Sequence, residues 1–135
     1  LAVDYQLPVI LHHRKTLDEL LKAARNAGVQ RGVVHAFSGS YEQAIAWVEQ
    51  GFKLGVGGTI TYPRAKKTRD AITRIGVEHL VLETDAPDMP ICGYQGQRNE
   101  PQRVTLVLDS LAELLQESPE ELSSVLWQNS LALFN

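Results

Sequence analysis

Short, almost wholly apolar runs alternate along the chain with longer stretches whose apolar positions recur at helical spacing. The runs PVILH (8–12), GVVHAF (32–37), FKLGV (52–56) and HLVLET (79–84) are short and rich in β-branched residues, which predicts four buried strands. Leu17, Leu20, Leu21 and Ala24 form one helical stripe, and Ala44, Trp47 and Val48 another. Thr16 with Glu19 and Ser40 with Gln43 carry capping-box spacing at the starts of these helices, and Gly28 and Gly51 end them. A third helix is predicted from about Arg64 to Ile75, stopped by Gly76. After a polar loop from Pro87 to about Pro101, two helices close the chain, roughly 102–116 and 119–133. The second opens on Ser118, Pro119 and Glu121, a strong start signal.

Strands this apolar need cover on both faces, which parallel α/β sheets provide. The chain therefore reads as four β-α units plus a terminal helix, without internal repeat or linker. The alternation leaves open a doubly wound sheet or part of a (β/α)8 barrel. The opening LAVDYQLP reads as a helix tail running into a strand and has no signal-peptide pattern. No apolar run reaches membrane-spanning length.

Composition narrows this further. With 135 residues, 44% hydrophobic, one domain with a real core is expected. A net charge of -3 gives no global attraction to nucleic acid, so any polyanion contact must be local. The single cysteine, Cys92, excludes an intrachain disulfide and a cysteine-rich zinc site, and fits a reducing cytoplasm.

Three predicted strands end in a residue able to bind metal: His12, His35 and Asp85. That C-terminal rim is where α/β folds place their active sites. Imidazole with carboxylate suits Zn²⁺ or Mn²⁺, whereas Mg²⁺ favours more oxygen. Glu83, two residues before Asp85, points the same way from deeper in the strand. It either orients a ligand from behind or pairs with an inward Arg or Lys. His13 should face the other side, as packing or rim, and His79 lies at the opposite, solvated end. Arg14 and Arg98 follow strand ends and could clamp phosphate. Lys66, Lys67 and Arg69 read as a solvated helix face, while Tyr62, Tyr94 and Met89 could offer stacking surface to a base. GVGGTI lacks the Lys-Ser/Thr of a phosphate-binding loop, and Ser38 lacks the flanking pattern of a nucleophile elbow.

PVILHHR, GVVHAFSG, GVGGTITYP, LVLETDAPDMP and RNEP, in this order, resemble the C-terminal half of the TatD family of metal-dependent hydrolases, and most of all its YjjV-like branch. The resemblance implies a (β/α)8 barrel, with residues 1–135 a partial domain holding its fifth to eighth strands. It implies a two-metal site at the rim, with His12 and His35 on one ion. Asp85 would then bind the other and help position the attacking water. It further implies a divalent-metal-dependent deoxyribonuclease (Mg, Mn or Zn) that cleaves phosphodiester bonds with a metal-activated water, with single-stranded DNA as substrate. Arg98, Asn99 and Glu100 fall where the family has a substrate loop, so Asn99 joins Arg14 and Arg98 as a substrate-binding candidate. The family's His-x-His pair and bridging Glu are absent from the chain. Two other readings stay open: an amidohydrolase-like esterase or amidase, and a non-catalytic half-barrel that self-associates through open sheet edges.

Overall fold

A computed structural model describes all residues, 1–135. Strands β1 (Val9–His12), β2 (Gly32–His35), β3 (Phe52–Val56) and β4 (Leu80–Leu82) pair in parallel in the order β1-β2-β3-β4. Helices α1 (Leu17–Asn26), α2 (Tyr41–Glu49) and α3 (Lys66–Ile75) are the crossovers; α4 (Val104–Leu115) and α5 (Pro119–Phe134) follow β4. No helix is long and apolar enough to cross a membrane.

The sheet's two faces differ. Leu11, Val34, Leu54 and Leu80 are in register across the four strands; the last three belong to the main core with Leu21, Trp47, Ile72 and Leu111 from the helices, and partly buried Leu11 packs against it. Residues one step along each strand point the other way. On that second face Val33 and Val81 are buried only with Leu133, from the last turn of α5. The Arg31 guanidinium holds this turn, donating to the carbonyl oxygens of Leu133 at 2.6 Å and Asn135 at 2.7 Å. Towards β1 the face is open: Ile10 is 53% exposed. The edges of β1 and β4 have no further strand.

Local chemistry explains most boundaries. Ser40 and Gln43 form the full capping box expected, with Gln43 N–H to Ser40 Oγ at 3.2 Å and Ser40 N–H to Gln43 Oε1 at 3.0 Å. Thr16 does not: its side chain makes no cap hydrogen bond, and α1 starts at Leu17 without one. The second strand stops at His35 rather than Phe37, because Ala36 adopts a left-handed φ of 48° that no strand continues through. Arg69 is not on a solvated face; its guanidinium donates to Ile60 O and ties down the 3-10 turn after β3.

Candidate functional site

The β1–β2 register sets His12 beside His35 at the C-terminal rim. Their rings stack with centroids 4.3 Å apart. His35 Nε2 lies 3.2 Å from Asp85 Oδ1 and 3.7 Å from Glu83 Oε1. His12, His35, Asp85 and Glu83 therefore do gather at one place, and the chain bends sharply on both sides of it. Ala36, just after His35, and Asp85 itself hold left-handed φ values of 48° and 57°. Non-glycine residues seldom adopt that conformation, and such positions cluster at functional sites.

Glu83 is the most constrained member. Its N–H continues the ladder to Val56 O at 3.0 Å. Its carboxylate turns over β3, where a Cβ on Gly55 would stand 2.2 Å from Oε2. Glycine at 55 is thus what makes room for the acid. Oε1 accepts the Ala36 N–H at 2.6 Å. The ion pair with an inward Arg or Lys does not exist; Lys53 instead donates to Glu78 O. Burial pushes the Glu83 carboxyl up to about 7, with the Ala36 N–H pulling the other way and the Asp85 charge adding to the rise. Burial likewise lowers the His35 imidazole; Asp85 opposes this, and His12 and His13 add to it. His35 is accordingly neutral near pH 7, the form with a lone pair to offer a ligand.

His13 faces away from the donors, as packing. Its Nε2 lies 3.1 Å from Ala36 O and its buried Nδ1 has no partner. The ring thus braces Ala36, the residue whose N–H holds Glu83. Sequence reasoning had no signal for this brace, although a glycine inside a strand, Gly55, does signal close approach.

The other candidates divide. Arg98 is exposed and borders a cavity of about 320 Å³ with Ala86, Pro87 and Gln102, beside the Asp85 turn. Arg14 is exposed, two residues beyond His12. Asn99 does not offer itself to a substrate. It is 2% exposed, and its amide donates to Thr84 O at 2.7 Å, Asp88 O at 2.8 Å and Met89 O at 3.2 Å. Its Oδ1 accepts the Glu100 N–H at 2.9 Å. Asn99 staples the loop that follows Asp85.

Imidazole nitrogens with carboxylate oxygens are a donor set for a divalent cation. Yet no three of them converge into a group able to hold one. Residues 1–135 alone therefore do not form a closed metal cage.

The profile of the family described as "TatD related DNase" matches residues 1–135. The chain belongs to the TatD family. It is 52% identical to the uncharacterized metal-dependent hydrolase YjjV of Escherichia coli K12, across 100% of this chain and 52% of that protein. It is 46% identical to an uncharacterized metal-dependent hydrolase of Haemophilus influenzae, again across 100% of this chain and 52% of the relative. The crystal structure of E. coli YjjV superposes with a TM-score of 0.95 at 50% identity, over 99% of this chain and 52% of that one. A TatD-family hydrolase from Entamoeba histolytica shares the fold, with a TM-score of 0.86 at 22% identity, over 98% of this chain and 52% of that one. The chain thus spans about half the length of the curated relatives it matches. Its four parallel strands and their helices are the C-terminal half of the family's (β/α)8 barrel, as the TatD resemblance implied.

Proposed function

We propose that this chain carries half of the active site of a divalent-metal-dependent hydrolase, and that the reaction is cleavage of phosphodiester bonds in DNA. The placement of His12, His35 and Asp85 side by side on one rim, over a carboxylate set in by glycine, carries the reading. The remaining donors come from outside residues 1–135, with β1 to β4 serving as the fifth to eighth strands of the complete barrel. Mg, Mn or Zn would supply polarisation of a substrate oxygen there. The names of the relatives support a metal-dependent hydrolase, and the family's description supports a deoxyribonuclease. Within the chain, His35 stays neutral and stacked on His12, Asp85 is presented by its turn, and Glu83 holds the Ala36 N–H in place. Arg14 and Arg98 are cations for the phosphate backbone of a single strand. The lone cysteine and the absence of a membrane-crossing helix are in keeping with a cytoplasmic enzyme.

The test joins residues 1–135 to the N-terminal half of the E. coli relative and supplies Mg²⁺ or Mn²⁺. The joined protein should shorten single-stranded DNA, and His35→Ala should abolish this. Turnover of small esters without DNA cleavage would overturn the nuclease reading in favour of an esterase or amidase. The open face at Ile10 and the unpaired strand edges favour one second reading, a non-catalytic half-barrel that self-associates.

A further inference from the structure

A cavity of about 290 Å³ lies between the loops that follow β3 and β4, lined by Gly58, Thr59, Tyr62, Arg64, Met89 and Pro90, with Ala65. Its walls are fixed. The Tyr62 hydroxyl donates to Pro90 O at 2.6 Å, so the ring bridges the two loops. Met89 carries a left-handed φ of 49° and its carbonyl accepts from buried Asn99, yet its apolar side chain is 40% exposed. A Cβ on Gly58 would stand 2.9 Å from Met89 O, so the bare glycine lets the loops meet. At the mouth, the Arg64 guanidinium sits 4.9 Å from the Tyr62 ring centroid, and no carboxylate pairs with it. The far wall belongs to the loop that carries Asp85: the Asp88 N–H closes a turn onto Asp85 O at 2.8 Å, and Met89 is next.

A held aromatic ring, a presented thioether and a guanidinium without a carboxylate partner match a flat heteroaromatic ring joined to a phosphate. We propose that this cavity is a nucleotide subsite, in which the base lies against Tyr62 and Met89 and Arg64 meets the phosphate next to that base. The inference deepens the nuclease reading and rests on it for its biological sense: the subsite would favour nucleotide esters over small ones. Arg14 and Arg98 follow the strand ends of β1 and β4, which leaves Arg64 the cation at this cavity.

The test does not need turnover. Met89 is the sole methionine, so its labelled methyl gives one NMR signal at the cavity. Residues 1–135 in EDTA are titrated with deoxyadenosine monophosphate, deoxyadenosine and deoxyribose phosphate. The nucleotide and the nucleoside should move the Met89 methyl, and the sugar phosphate should not. Arg64→Gln, an exposed change, should weaken the nucleotide about fivefold and leave the nucleoside unchanged. Tyr62→Leu, with folding checked by its thermal melt, should weaken both about tenfold. A sugar phosphate that moves the methyl as strongly as the nucleotide overturns the subsite. So does an Arg64→Gln variant that binds nucleotide as well as the parent. Base-dependent binding alongside ester-only turnover by the joined protein would instead sink the nuclease reading and leave the subsite standing.

Discussion

Replacing Glu83 with Gln removes a charge and almost nothing else, since an amide oxygen at the same place can still accept the Ala36 N–H. The native carboxyl titrates near 7, against 4.5 for a free side chain, because it is buried over Gly55. The sign follows from that rise. Below pH 4.5 the group is protonated in both folded and unfolded chains and adds no pH dependence. Between 4.5 and about 7 the unfolded chain releases its proton while the folded chain keeps it, so stability falls as pH rises. Above about 7 the folded chain carries a buried charge, and the loss is complete at roughly 3 kcal/mol. Glu83→Gln should lack this fall. With a urea slope of roughly 1–3 kcal/mol per molar, the two midpoints should differ by about 1–3 M more near pH 8.5 than near pH 4.5, the variant gaining. The assay is urea unfolding followed by tryptophan fluorescence, in EDTA so that no adventitious cation compensates the charge. Parallel pH profiles for the two proteins would refute the burial argument, as would a variant that loses ground at high pH.

Gly55→Ala should cost about 1–3 kcal/mol in thermal or urea unfolding, because the new methyl meets Glu83 Oε2 and, at 3.0 Å, Val34 O. Its penalty should shrink in a Glu83→Ala background, and an undiminished penalty would locate the clash elsewhere. Asn99→Ala should destabilise by about 3 kcal/mol by stripping three loop carbonyls of their donor; unchanged stability with a raised KM would restore the substrate role. Residues 1–135 should self-associate, and Ile10→Lys on the open face should shift them toward monomer in light scattering. A stable monomer with a cooperative melt would contradict that expectation.

The four strands and five helices were readable because hydrophobic period and turn chemistry agree: each strand is a short apolar run, and each crossover helix has a stripe and a stop. The nearness of His12, His35 and Asp85 was readable for a simpler reason, since each stands at or just past the C-terminal end of a strand. The unreadable parts depend on where the backbone goes after the strands. Ala36 looks like one more strand residue, yet it turns left-handed and shortens β2. Asn99, in a polar loop, looks available, and only the folded loop reveals it as the buried staple. Thr16 has capping spacing but no capping bond, since spacing cannot say where the hydroxyl points. Arg69 sits in a basic cluster that reads as solvated, and a carbonyl exposed by the neighbouring turn claims it.

Those unread contacts divide the site into two kinds of residue. The bracing set is complete within the chain: His13 holds the Ala36 carbonyl, the Ala36 N–H holds Glu83, Gly55 admits Glu83, and Asn99 fixes the loop after Asp85. The candidate donors are two stacked imidazoles and a carboxylate, which do not close into a cage. Had the half-barrel been built only to pack, neither a left-handed Ala36 nor a carboxyl driven to about 7 would repay its cost in stability. Such strain persists where surrounding structure holds it, and Glu83, His13 and Gly55 do so here. On the reading proposed above, these braces are what set Glu83 and the loop after Asp85 in position.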